Sequence, residues 1–400
     1  MKNRGRVIFF TDCLPPAIGG MEVHAEAFID HFSKPRNGEL AAIMTFAPGA
    51  PKDGSVVAES IPSMPAPTVF LSPDSIFSPH EVLCELDRIA PTDNDVFFFN
   101  SLYWIRILPA LKEQYPLVRI IMRSGGNDIL QANIDGTGAT LSQRQQFIVR
   151  TINTVVDRLI VNSEYAFAAF SRLGISDLRM VIVQGGVDTS RFTPHSPMER
   201  FALRKKLSLP LDEPILLAVC RLVPFKGLMY SIDAVQQLPA ETPAHYVIVG
   251  SGPLSQELTS YVAAAPFPNR ISFVPSVPHQ NIHAYFHAAD IYVLTPVLHE
   301  QKVPGGSYIH TETMGRSFCE AAASGLPAIG TQVGGIPEIL WNDITGITVP
   351  ERSSGAVATA ISALFANLQK RAKMGEQART RSIQLSWEKI FAQYQTIFWP

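Results

Sequence analysis

Glu312 and Glu320 stand eight residues apart in the stretch ETMGRSFCE, which runs on into an alanine-rich segment. Two carboxylates flank a Gly-Arg-Ser turn, and the spacing predicts a helix that starts inside it. A helix start offers unpaired backbone N–H groups and the positive end of the helix dipole, both suited to an anion. Eight residues of helix span about 12 Å along the axis. Carboxylates accept hydrogen bonds from paired hydroxyls, so such a pair could hold two polyol rings with a diphosphate between them. The same residues would serve equally as a capped helix start with one solvated glutamate.

A second group carries the opposite charge. Arg221 and Lys226 lie five residues apart in RLVPFKG, directly after an apolar run. A guanidinium fork and a compact ammonium on a loop after a parallel strand could clamp a diphosphate, or could be two solvated loop cations. Gly19 and Gly20 close the loop after the first apolar run, where glycine permits close backbone approach to a ligand and is also common in plain turns. This loop lacks the Gly-x-Gly-x-x-Gly fingerprint, which disfavours a nicotinamide cofactor. Asn127 and Asp128 end the stretch RSGGND and could bind hydroxyls or amines, or form an Asx turn before the next helix. Asp93 and Asp95 mimic a metal-binding Asp-x-Asp, but they precede an apolar strand, which reads as turn chemistry with no metal. His279, His283, His287, His299 and His310 do not converge on a zinc spacing and are expected mostly at the surface or in loops.

These residues need a scaffold that presents loops. Short apolar runs alternate with helical patterns along the whole chain, which predicts an α/β protein with parallel sheets. Strands are expected at 6–11, 95–100, 118–122, 158–162 and 180–183, with helices at 21–32 and 143–156. The proline-rich stretch 46–80 reads as an extended or loop excursion. After a linker at 191–197 the pattern restarts, with strands at 214–219, 246–250, 271–274, 291–294 and 328–330. Two doubly wound, Rossmann-like domains follow, 1–194 and 195–386, with a C-terminal helix over 387–400 packing back on the first. In such folds ligands sit at strand carboxyl ends, here in a cleft expected between the domains. The chain has 400 residues and a net charge of −2, which argues against nucleic acid as a partner. Its four cysteines, Cys13, Cys84, Cys220 and Cys319, are unpaired in spacing, which fits a reducing compartment. The apolar run 7–10 is too short for a signal peptide core, and no run reaches the length of a membrane span. A soluble, cytoplasmic protein is expected.

In combination the motifs resemble retaining glycosyltransferases of the GT-B fold, family 4, over nearly the whole chain. The markers are Gly19-Gly20 with Glu22 and His24, Val161-Asn-Ser-Glu164, Gly185-Gly-Val-Asp188 with Phe192 and Pro194, Arg221 with Lys226-Gly227, Val249-Gly-Ser-Gly-Pro253, the Glu312/Glu320 pair and Gly334-Gly335-Ile-Pro-Glu338. The resemblance implies that Arg221 and Lys226 neutralise the donor diphosphate, that Glu320 accepts the ribose hydroxyls and that Glu312 holds the transferred sugar. Backbone N–H groups around Met314, Gly315, Arg316 and Ser317 would assist. Pro275, Val277 and Pro278 would line the nucleobase, and Gly19 and Gly20 would approach the donor. Two departures stand out. Many relatives place a histidine after the strand ending at Met122, where this chain has Gly125 or Ser124. The stretch 297–311 is also longer than in many relatives, and its His299, Glu300, Gln301 and Tyr308 could shape donor selection.

The implied reaction moves a hexose or N-acetylhexosamine from a nucleotide sugar, a UDP-sugar by default, with no tightly bound cofactor. Retention by front-face attack lets the departing phosphate oxygen take the acceptor proton, so no strong side-chain base is needed. Asp12, Glu22, Asn127 and Asp128 would receive a small polar acceptor on the first domain. The RSGGND and HTETMGR stretches are similar to glycosyltransferases of aminoglycoside antibiotic pathways, which implies an aminocyclitol acceptor. The alternatives are a glycosyltransferase of cell-surface polysaccharide or glycolipid assembly, a nucleotide-sugar epimerase and a non-catalytic sugar-binding protein.

Overall fold

The computed structural model describes residues 5–12, 14, 19–34, 38–46, 64–126, 143–303 and 306–400. These form two compact units. One comprises Met1–Gln184, Lys302–Tyr308 and Glu388–Pro400, and the other Gly185–Gln301 and Ile309–Trp387.

The first unit is built on seven parallel strands: β1 (Arg6–Phe10), β2 (Glu39–Phe46), β3 (Thr68–Leu71), β4 (Val96–Phe99), β5 (Arg119–Arg123), β6 (Arg158–Val161) and β7 (Met180–Ile182). Their order is β3-β2-β1-β4-β5-β6-β7, and every neighbouring pair is parallel. Strands covered on both faces need apolar side chains at every position. The four residues of β4 meet this with Val-Phe-Phe-Phe, all at 0% exposure. Between the strands run α1 (Gly20–Phe32), α2 (His80–Ile89), α3 (Leu108–Gln114), α4 (Gln143–Val155) and α5 (Glu164–Arg172). Ser163 starts α5 by accepting the Ala166 N–H, 3.1 Å away, which satisfies one of the otherwise open amides of the first turn. The C-terminal helix Trp387–Phe398 lays Phe391 and Tyr394 against α1. Tyr394 Oη lies 3.1 Å from His24 Nε2, and Phe391 packs edge-on to Phe28.

One part of this unit differs from the sequence expectation. The stretch 46–80 is not wholly an excursion, because β3 joins the sheet beside β2 and a helical turn at Pro73–Ile76 precedes α2. The run from Leu40 to Phe46 is itself a strand, paired with β1. Proline density hid a four-residue edge strand whose only signal is its pairing.

The second unit repeats the plan. Its strands are β8 (Ile215–Val219), β9 (His245–Val249), β10 (Ile271–Val274), β11 (Ile291–Val293), β14 (Ala328–Thr331) and β15 (Gly346–Val349); between β11 and β14 the chain also forms a separate pair, β12 (His299–Val303) and β13 (Gly306–His310), of which Lys302–Tyr308 counts with the first unit. The main sheet has the order β10-β9-β8-β11-β14-β15 and is parallel, while β12 and β13 pair only with each other. Around it lie α6 (Pro197–Lys206), α7 (Leu228–Gln236), α8 (Ser255–Ala263), α9 (His279–Ala288), α10 (Arg316–Ala323), α11 (Ile336–Ile339), α12 (Ser354–Ala366) and α13 (Leu368–Ser382). The segment before α6 is firmly held: Phe192 is buried, and Arg379 donates to the carbonyls of Phe192 (2.8 Å) and Thr189 (3.1 Å).

Both sheets reverse their winding between the first and fourth strands, and this fixes where loops can bind. The crevice of a doubly wound sheet opens beyond the carboxyl ends of the strands flanking the reversal. In the second unit those strands are β8 and β11. The chain leaving β8 carries Arg221 and Lys226, and the chain leaving β11 leads through β12 and β13 to Glu312.

Candidate functional site

After β8 the chain turns through a single 3-10 turn, Pro224–Lys226, and ends it at Gly227 with φ 63°. A side chain at Gly227 would also bring a Cβ to 2.0 Å from the Thr295 carbonyl oxygen, so only glycine fits. The turn is fastened to the chain leaving β11. Thr295 Oγ1 donates to the Gly227 carbonyl at 2.7 Å, and the Val297 N–H donates to the Phe225 carbonyl at 2.8 Å.

Lys226 is the last residue of this turn. Its ammonium donates to Glu312 Oε2, and both side chains are largely buried. Burial alone would lower the lysine's pKa, but the charge and hydrogen bond of Glu312 raise it above the ordinary value. Lys226 is therefore a fixed cation at neutral pH. Burial pushes the neighbouring Cys220 thiol up to about 12, so it stays protonated. Arg221 behaves differently. It is exposed, and its guanidinium has no hydrogen bond to a described residue.

Glu312 is held from both sides. Its other carboxylate oxygen accepts the Gly315 N–H at 3.2 Å, and its backbone carbonyl accepts the Gly335 N–H at 3.0 Å. A Cβ at Gly334 would lie 1.9 Å from the Glu312 carbonyl oxygen and one at Gly335 1.9 Å from the Thr313 carbonyl oxygen, which explains the Gly-Gly pair against this backbone. The helix expected inside this stretch begins at Arg316 as α10. The Gly315 amide, expected to face a ligand, is turned to Glu312 itself. Of the neighbouring residues, Met314 is buried with its sulfur 3.0 Å from the Gly185 N–H, the Arg316 guanidinium lies over the Trp387 ring at 5.4 Å, and Ser317 Oγ accepts from Tyr292 Oη at 2.6 Å.

Glu320 lies on the same helix and is 5% exposed. Its Oε1 is 3.0 Å from His279 Nε2 at the start of α9. Nothing in the chain's spacing marked His279 as a partner of Glu320; its place directly after Pro278 was the only available signal. The loop before it holds the exposed Pro275 and Pro278 and the half-buried Val277, and the Ser276 N–H donates to Ser251 Oγ at 3.1 Å. The five histidines lie in regular elements rather than in loops. His279, His283 and His287 belong to α9, and His299 and His310 lie in β12 and β13. His287 is buried and stacks on His195 with ring centroids 3.7 Å apart.

In the first unit, Glu22 folds over the start of α1, where a Cβ at Gly19 would meet Glu22 Oε2 at 2.4 Å. Gly20 opens that helix, and Asp12 accepts a hydrogen bond from Ser101 Oγ at 2.9 Å. Asn127 and Asp128 lie outside the described residues. At Gly125, one of the two positions at which the family resemblance implied a histidine, a Cβ would lie 2.7 Å from Met21 Sδ. The buried Arg123 also approaches that sulfur, at 3.2 Å, so a methionine and an arginine crowd the position. Asp95 is a structural acid: it accepts from the Arg6 backbone and guanidinium and from the Thr92 N–H. Among the described residues, no group of three or more potential ligands could hold a metal ion. No helix there is long and apolar enough to cross a membrane.

Residues 199–381 match the family model for glycosyl transferases group 1. A GDP-mannose-dependent alpha-(1-6)-phosphatidylinositol monomannoside mannosyltransferase of Mycolicibacterium smegmatis is 24% identical over 377 residues, 93% of this chain and 92% of that protein. A GDP-mannose-dependent monoacylated alpha-(1-6)-phosphatidylinositol monomannoside mannosyltransferase of Corynebacterium glutamicum is 26% identical over 390 residues, 97% of this chain and 96% of that protein. Among solved structures, Anabaena Alr3699/HepE in complex with UDP-glucose matches with a TM-score of 0.75 at 20% identity, covering 98% of this chain and 99% of that one. The expected fold, two Rossmann-like domains of the GT-B type, is thus found.

Proposed function

We propose that this chain is a glycosyltransferase that moves a hexose from a nucleotide sugar to a hydroxyl with retention of configuration. The observation that carries this reading is the Lys226–Glu312 pair at the winding reversal of the second sheet, beside the first turn of α10. In this reading the second unit takes the donor and the first takes the acceptor. Lys226 and the exposed Arg221 neutralise the diphosphate, Glu312 holds hydroxyls of the transferred sugar, and Glu320, steadied by His279, holds the ribose. As the glycosidic bond lengthens, positive charge grows on the sugar and negative charge on the leaving phosphate. Cations already in position stabilise that separation without reorganising. The departing oxygen takes the acceptor proton, which fits a loop with Ser124 and Gly125 where the family resemblance implies a histidine.

GDP-mannose is the first candidate donor, because the whole-length relatives are named for it; a UDP-sugar is the second arm of the test. Their names also favour a glycolipid acceptor built on a cyclitol over a soluble aminocyclitol. A thermal-shift screen of GDP, UDP, ADP and dTDP identifies the base, since a ligand of the native fold raises its melting temperature. Lys226→Ala is expected to lower kcat by about 10²–10³-fold, the usual cost of one such contact, while nucleotide binding changes far less. Turnover at the wild-type rate would refute the assigned role.

A further inference from the structure

The long stretch between β11 and Glu312 grips one residue at both of its ends. On entry, the Val297 N–H donates to the Phe225 carbonyl at 2.8 Å. On exit, the His310 ring stacks on the Phe225 ring, with centroids 4.0 Å apart and planes 16° from parallel. Phe225 precedes Lys226, whose ammonium lies 5.0 Å from the same ring, and His310 lies two residues before Glu312. The base of the pair β12–β13 is itself anchored: the Leu298 N–H donates to Glu351 at 2.8 Å, and Arg352 donates to the Leu298 carbonyl.

We propose that His310 is a positioning residue for the transferase reaction: stacked on Phe225, it fixes the turn that presents Lys226 to Glu312 and to the leaving diphosphate. This rests on the function proposed above. The backbone of the turn is already held by Thr295 and Val297, but a backbone anchor leaves the side-chain directions of Phe225 and Lys226 open. A ring packed flat on Phe225 closes one of those directions. The imidazole does this without adding charge. Burial, opposed by Glu312 and reinforced by Lys226, His299 and Arg221, pushes its pKa down to about 4, so it is neutral where Lys226 is charged. The stack needs a flat ring, and phenylalanine supplies one as histidine does.

The test compares His310→Ala, His310→Phe, Lys226→Ala and the double variant His310→Ala/Lys226→Ala. Turnover is followed as GDP released from GDP-mannose and, in parallel, UDP released from UDP-glucose. His310→Ala is expected to lower kcat roughly 3- to 10-fold, the range of one aromatic pair, with the acceptor KM unchanged. His310→Phe is expected to restore kcat to within about twofold. The double variant should be no slower than Lys226→Ala, because a residue acting through Lys226 has nothing left to act on. Wild-type kcat in His310→Ala, equal loss in His310→Phe, or additive losses in the double variant would each overturn the positioning role. Wild-type turnover in Lys226→Ala would instead overturn the function on which it rests, and the positioning role with it.

Discussion

Glu312→Gln removes the counter-charge of Lys226 while keeping the shape of the side chain. The two side chains retain only 14% and 16% of their exposure, so the ammonium loses its partner with little water to replace it. Removing one member of a buried pair costs about 3–5 kcal/mol, and the residual exposure and retained amide oxygen argue for about 2–3 kcal/mol here. For a unit of this size, about 2–4 °C per kcal/mol converts this to a fall in melting temperature of about 4–12 °C. The pH dependence gives a second readout. In the wild type the raised pKa of Lys226 contributes stability that is complete below the ordinary lysine value of about 10.4 and is lost as pH rises through the folded-state pKa. Without Glu312, burial dominates and the pKa falls, so the variant deprotonates Lys226 at lower pH. Lys226→Met/Glu312→Leu should recover most of the lost stability, because a matched apolar pair replaces an ion pair at little cost, yet remain inactive. In differential scanning calorimetry from about pH 7 to 10 the wild type should show no loss from this group while the variant does, with GDP release from GDP-mannose followed alongside. A Glu312→Gln protein melting within 1 °C of wild type, by that order-of-magnitude conversion, would refute the buried-pair reasoning.

Two further perturbations test the scaffold. Asp290 accepts from Arg200 and Arg204, each at 2.6 Å, and from the Ile215 N–H at 2.7 Å, so Asp290→Ala strands two guanidinium groups; a loss of about 3 kcal/mol or more is expected in urea melts, and a loss under 1 kcal/mol would contradict it. Burial, then the charges of His195 and His283, push His287 down to about 4. Between that value and about 6.5 the unfolded chain binds more protons than the folded one, so stability rises with pH across this window and is lost as pH falls through it, by up to about 3 kcal/mol for one histidine. His287→Leu should make the acid slope of the melting temperature shallower, and an identical slope would count against the assignment.

The amino-acid sequence by itself determined the doubly wound architecture and the charged loops, because both are local. Apolar runs such as Val96–Phe99 between helical periods demand a parallel sheet covered on both faces. A loop bearing Arg221 and Lys226 directly after such a run must emerge at a strand's carboxyl end. The start of α10 inside the Glu312–Glu320 stretch was equally legible, since a Gly-Arg-Ser turn before alanines favours a helix only from that point. Partner choice was not legible. Lys226 and Glu312 are 86 residues apart, His279 and Glu320 are 41 apart, and β3 gains its place only by lying beside β2. Local pattern sets what each segment can be. Sheet order then brings the ends of β8 and β11 side by side, and close packing decides which ring covers Phe225 and which sulfur crowds Gly125.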